Sequence, residues 1–313
     1  MKIRKVLFWF YRILFSTLIA NIPFRKEKNT TTIMTLHKKF THLLFILLSY
    51  NIALGQKNAI EINAKLNQIN RSYGVKSSIL VYNQQKNKLI TNDSTLMQMN
   101  VSPLGTFHPY EALIGLESGI IKDTSQTISI DPTEPRHSNL FWNEDQTVYT
   151  ALKHQTPWYF KKIAKNIKQD KMQNWLTLMG YGNKDLSGGI DAFWLNSSLQ
   201  ITPRQQFDFL KRLYYYNLPF SFENMRFIRN TFTCKKLKNK NLYSFKVSTN
   251  QSGKQLSWYI GYIEYINNTY LFVHCIEGNA KKGNPYLETI HSELLHASLK
   301  ELGILDDEMC GKL

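Results

Sequence analysis

The sequence predicts an α+β domain in which one antiparallel sheet, formed from N- and C-terminal strands, is covered by a helical middle region. Two observations carry this: β-branched and aromatic runs lie at both ends of the domain, and helical periodicity fills the stretch between them. In order, Ile60 to Arg71 has helical spacing, and Ser77 to Tyr82 and Lys88 to Thr91 read as a hairpin around the polar turn Gln84 to Asn87. Glu111 to Gly119 reads as a helix with a glycine C-cap, and Trp158 to Met179 as one long helix. Pro203 to Tyr216 is a third, with Thr202 as N-cap and proline in the first turn. Tyr243 to Val247, Leu256 to Tyr265 and Thr269 to Ile276 read as strands, the last two joined at Asn267-Asn268, and a final helix from Tyr286 to Leu302 stops at Gly303.

The 313 residues are 43% hydrophobic and 20% charged, which excludes a disordered tail, a collagen-like repeat and a polytopic membrane protein. The net charge of +16 raises nucleic-acid binding, but half of the surplus sits in the leader: before Phe40, nine basic residues face the single acid Glu27. The remaining surplus fits a solvated basic surface, so no nucleic-acid partner is expected.

Met34 opens a secretory pattern: Lys38-Lys39, an apolar run from Leu43 to Leu48, then Ala53-Leu54-Gly55 before Gln56 as a cleavage site. Residues 34–55 therefore read as a signal peptide of an exported, periplasmic protein, and 56–313 as one domain. Residues 1–33 read as an over-called extension; the alternative is a membrane anchor, with association through residues 6–23. Cys234, Cys275 and Cys310 are too few and too scattered for a disulfide framework.

Four stretches resemble one family. Ser102-Pro103-Leu104-Gly105-Thr106-Phe107-His108, followed by Ala112 to Gly119, resembles the nucleophile helix of class D (oxacillinase-type) β-lactamases. Trp142 to Asp145, Tyr181-Gly182-Asn183 and Ser187 to Leu195 are similar to that family in the same order, and Lys246 precedes an aromatic strand, Trp258 to Tyr262. The resemblance covers nearly all of the chain after the leader and implies a penicillin-recognising fold, with a β-lactam or peptidoglycan-like ligand and no cofactor. It also brings in a chemistry: a serine nucleophile and, three residues on, a lysine base that is carboxylated in class D enzymes.

The matching positions here are Gly105 and His108. Glycine has no nucleophile, and an imidazole cannot hold a carbamate as a primary amine does. Thr106 carries a hydroxyl about 100° around the helix from the required face. Gln155 stands where the family has a second serine, with Pro157 two residues on, and an amide cannot relay a proton. Lys246-Val247-Ser248 stands for the family's lysine-hydroxyl-glycine strand, and Leu287 falls near an expected arginine. The resemblance thus implies a site at Gly105, His108, Gln155 and Lys246 with no intact catalytic group, and a pocket lined by Lys246, Trp194, Ser248 and Thr106.

His108 and Glu111, at i and i+3, have a zinc-compatible spacing but no third ligand fixed by sequence, so no metal is expected. The run Lys235 to Lys240 reads as a short charged loop, and the aromatic residues from Trp258 to Phe272 as sheet packing. Three functions follow: a non-catalytic exported binding or interaction module, a β-lactamase with unconventional catalytic groups, or a membrane-anchored β-lactam sensor.

Overall fold

Ile60 to Arg71 is two elements, a strand at Ala59–Ile62 (β1) and a helix at Ala64–Ser72 (α1). Asn63 divides them: its backbone is extended and its side chain accepts from the N–H groups of Lys65 and Leu66, so the helix starts only after it. The structure, a computed structural model, describes residues 59–251, 254–279 and 286–306, all within the compact unit Asn58–Leu313. The expectations for residues 1–33, 34–55 and 6–23, and for Cys310, lie outside the described residues.

The hairpin forms as expected from Lys76–Asn83 (β2) and Lys88–Thr91 (β3), with Asn87 closing the turn at φ +46°. Next come the helices His108–Glu117 (α2), Val148–His154 (α3) and Pro157–Ile167 (α4). Gly119 ends the α2 segment at φ +69°, a conformation in which glycine has no Cβ penalty. The single helix expected over Trp158 to Met179 is broken: Lys168, at φ +69°, separates α4 from Gln169–Met179 (α5). The buried series Ile163, Ile167, Met172, Leu176 takes one five-residue step at the break, which a continuous helix cannot keep on one face.

Pro203–Tyr214 (α6) starts with a reciprocal cap, Gln205 N–H donating to Thr202 Oγ1 at 3.1 Å and Thr202 N–H to Gln205 Oε1 at 3.0 Å. Phe222–Asn230 (α7) follows. The basic run is not a loop. Thr233–Leu237 is an edge strand (β4), and Lys240 opens the long strand Lys240–Gln251 (β5) with its ammonium buried and donating to the Ile304 carbonyl at 3.0 Å. Lysines on an edge strand deter pairing with other chains. Lys254–Tyr265 (β6) and Thr269–Asn279 (β7) turn at Asn268, whose carbonyl accepts from Tyr265, and Tyr286–Glu301 (α8) completes the domain.

The seven strands lie in the order β1-β3-β2-β7-β6-β5-β4. The sheet is mixed rather than wholly antiparallel, because β1 runs parallel to β3. Strands from both ends of the domain meet where β2 pairs with β7. The helical middle covers one face through Phe107, Tyr110, Phe160, Phe207, Trp258 and Val273; α1 and α8 cover the other through Leu66, Leu295, Leu299 and Tyr259. Each large apolar side chain so buried contributes ~1.5–3 kcal/mol. Cys275 is a buried thiol, Cys234 an exposed one, and neither is in a disulfide. Among the described residues, no helix is long and apolar enough to cross a membrane.

Candidate active site

The first turn before α2, Leu104–Phe107, is a 3-10 turn fixed from outside: Leu104 N–H and Ser102 Oγ both donate to the Trp194 carbonyl, and Trp258 Nε1 donates to the Ser102 carbonyl. This anchors Gly105 at the mouth of α2, opposite β5. The return segment that brings Trp194 there hangs on Tyr181-Gly182-Asn183. Asn183 N–H donates to the Gln200 carbonyl, Asn183 Nδ2 to the Ser198 carbonyl, and Gln200 N–H to Asn183 Oδ1. Gly182 cannot be replaced cheaply, since a Cβ there would lie 2.2 Å from the Gln200 oxygen.

Gly105 and His108 face each other, as the i, i+3 spacing requires. A Cβ on Gly105 would stand 3.2 Å from His108 Nδ1 and 2.9 Å from Val247 Cγ1. His108 is 5% exposed and its ring stacks on Phe160, centroids 3.9 Å apart and planes 6° from parallel. Burial holds its imidazole down to about 3, so it is neutral. Gln155, the left-handed C-cap of α3 at φ +52°, reaches across and donates its amide to the Lys246 carbonyl. The position over Gly105 is thus filled by a valine methyl, and a carbonyl of the facing strand is occupied by Gln155.

Lys246 is not in this space. Alternation along β5 sends Phe245 and Val247 to the face of α2, and Lys246 to the opposite face, where its ammonium donates to Ser292 of α8 at 3.0 Å and lies over the Tyr259 ring. Ser248 is exposed on β5, and the same alternation puts it on the Lys246 face. Thr106 is fully buried and its hydroxyl donates to the Pro103 carbonyl, while Trp194 is core, 1% exposed among Phe107, His108 and Phe193. The four residues expected to line a pocket therefore do not converge. Leu287 packs with Ile276 and Leu294 as part of the core. Open space lies to one side: a groove of about 990 Å³ passes Ser102, Leu104, Leu195 and Gln200 towards Thr249 and Gly278.

Two buried polar groupings emerge, of which the sequence had marked only the His108 and Glu111 pair and Trp194. Around His108, both ring nitrogens, both Glu111 oxygens, Thr156 Oγ1, Tyr159 OH and Trp194 Nε1 are buried with no hydrogen-bond partner among the described residues. Each such atom costs ~1–3 kcal/mol. Burial pushes the Glu111 carboxyl well above its ordinary value. Against α8, His274 and His291, far apart in sequence, bring their rings to 4.6 Å, with Ser257 Oγ 2.7 Å from His291 Nδ1 and donating to the Val247 carbonyl. Strand alternation was the readable signal for Val247; nothing local marks the histidine pair.

The penicillin binding protein transpeptidase domain family matches residues 73–242, more than half of the chain. Among curated relatives, probable β-lactamase YbxI of Bacillus subtilis is 29% identical over 219 residues, 70% of this chain and 81% of that protein. Regulatory protein BlaR1 of Bacillus licheniformis is 29% identical over 67% of this chain and 34% of its own length. Among solved structures, a class D β-lactamase from Sebaldella termitidis superposes with a TM-score of 0.74 at 26% identity, covering 80% of this chain and all of that one.

Proposed function

The chain belongs to the penicillin-binding protein transpeptidase domain family, with class D β-lactamases among its homologues, and from that premise we propose that it is an exported, non-acylating binding module. One observation carries the reading: the point where a nucleophile's Cβ would stand is backed by Val247 Cγ1 at 2.9 Å and belongs to a glycine. Acyl transfer needs a nucleophile, a base within reach and room for the carbonyl between them. At Gly105 the first is missing, and His108, which stands where the base would, is a buried neutral imidazole. A ligand, β-lactam or peptidoglycan-like, is then held without a covalent bond, in the groove beside Leu104 and Leu195.

The test is intact-mass spectrometry of the folded chain after incubation with excess benzylpenicillin and, separately, a carbapenem, followed by a hydrolysis assay. The expected result is no adduct and no turnover. A stable adduct, or hydrolysis above the buffer rate, overturns the reading. A second reading, a β-lactam sensor, is favoured by the similarity to a regulatory protein, BlaR1, of which the matched part is about a third. Reversible penicillin binding seen by calorimetry, with no adduct, supports both readings. A sensor additionally requires that binding alter a region outside the groove.

A further inference from the structure

The groove that starts at Leu104 and Leu195 has an uncharged body and a charged end. Its lining combines apolar surface from Leu104, Leu195 and Leu256 with the side-chain amides of Asn100 and Gln200. Among the described residues that line it, only Lys76 and Glu277 are charged. These two are direct cross-strand partners, where β2 begins and β7 nears its end, and Lys76 Nζ donates to Glu277 Oε2 at 2.9 Å. Gly74 and Gly278 line the same end and have no side chain to cover the pair. Gly74 sits at φ +68°, which favours glycine, and the space around its missing Cβ is open. At the far end, Leu104 at φ +51° and Ser197 at φ +70° hold left-handed backbones without being glycine. Strained backbone of this kind collects at ligand sites.

We propose that the Lys76–Glu277 end of the groove recognises a zwitterionic amino-acid head, an amino group and a carboxylate on one carbon, carried by an amide-containing body that lies along the rest of the groove. The inference rests on the groove being the ligand site and adds which ligands it prefers. The ammonium of such a head faces the Glu277 carboxylate, and its carboxylate faces the Lys76 ammonium, so both members of the pair keep a partner of opposite charge. A ligand with a lone carboxylate is drawn by Lys76 and repelled by Glu277, and a lone amine meets the reverse, so neither gains. The pair is a partly exposed bridge, and such bridges are weak, so opening it for a ligand costs little. Lys246 donates to Ser292 of α8 and does not line the groove, which leaves Lys76 as the cation that meets a carboxylate there. Along the body, side-chain amides both donate and accept, as ligand amides do, and the leucines pack against apolar parts. Two sources supply this chemistry: a β-lactam with an aminoadipyl side chain, and a cell-wall peptide ending in diaminopimelate.

The experiment is titration calorimetry of the full chain with two pairs of probes. Penicillin N and benzylpenicillin share a nucleus, but only the first has an aminoadipyl head. The tripeptide alanyl-γ-glutamyl-diaminopimelate differs from its lysine counterpart by the carboxylate of the head. The expected result is that the zwitterionic member binds about tenfold tighter in at least one pair, as two weak, partly exposed charge contacts together allow. A preference in the first pair alone identifies a β-lactam side chain as the source, and in the second alone a cell-wall peptide. Lys76→Gln and Glu277→Gln should each remove the preference, because each leaves one charge of the head facing an amide. Equal affinities within both pairs, or a preference that survives both substitutions, overturn this inference and leave the groove as a ligand site intact. Binding of none of the four probes overturns both. The probe pairs are compared on the wild-type chain, so the test holds even if a variant fails to fold.

Discussion

Val247 Cγ1 lies 2.9 Å from the point that a Cβ on Gly105 would occupy, so the two residues, 142 positions apart, share one volume. The absence of a side chain at 105 and the valine at 247 are complementary, and a larger group at either position must displace the other.

Gly105→Ser should destabilise the fold by ~1–3 kcal/mol through overpacking. In the Val247→Ala background the same substitution should cost markedly less, because the methyl it meets is gone. Urea unfolding of the two single variants and the double variant gives the coupling directly. Additive costs would show that the neighbouring strand moves freely.

Gly105→Ser with His108→Lys should remain unacylated by benzylpenicillin while Val247 is present, and should gain an adduct when Val247→Ala is added. Intact mass reads both variants. An adduct on the double variant alone would show that the valine is no barrier.

Glu111→Gln should stabilise the chain at about pH 7.5 and have little effect near pH 4. Burial raises the native carboxyl above its ordinary value of 4.5, so above that pH the unfolded chain has lost a proton that the native chain still holds. Stability then falls as pH rises through this window, and the neutral amide removes that penalty. Denaturant midpoints at the two pH values check it; equal gains at both would assign the effect to packing.

His108, His274 and His291 give the opposite slope. Burial lowers all three, the first two to about 3 from 6.5, so the unfolded chain takes up protons on acidification that the native chain refuses. Stability present above about pH 6.5 should be lost as the pH falls, by up to ~1.4 kcal/mol per unit for each histidine. His274→Leu should flatten the slope of urea midpoint against pH between about 6 and 4, and an unchanged slope would place the acid sensitivity elsewhere.

Gln155→Ala should cost more than Gln155→Gly. Both lose the hydrogen bond that the Gln155 amide donates to the Lys246 carbonyl, worth ~0.5–1.5 kcal/mol, but glycine relieves the left-handed backbone at φ +52° while alanine keeps it. Thermal melts of the pair should rank them in that order.

Much of the fold was legible because its signals are local. The Thr202 cap, the Asn268 turn and Gly119 each act within four residues, and the α+β plan follows from where the two periodicities lie. The misread boundaries were legible too: Asn63 is a helix start, and the five-residue step from Ile167 to Met172 marks the break at Lys168. In the site, Gly105 and His108 were singled out because the resemblance aligns them with the family's nucleophile and base positions, and they do face each other. Lys246 was placed by motif, whereas the apolar pair Phe245 and Val247 already assigned it to the other face by simple alternation.

By itself, then, the sequence determined the class of fold, the order of most elements and, through the motifs it shares, the family, because each is written in residue type and short local pattern. Only the tertiary structure decided that Val247 fills the space over Gly105, that Gln155 binds the facing strand, and that His274 meets His291. Those contacts join residues 17 to 142 positions apart, and which side chains share a buried volume is set by how the sheet and helices pack together.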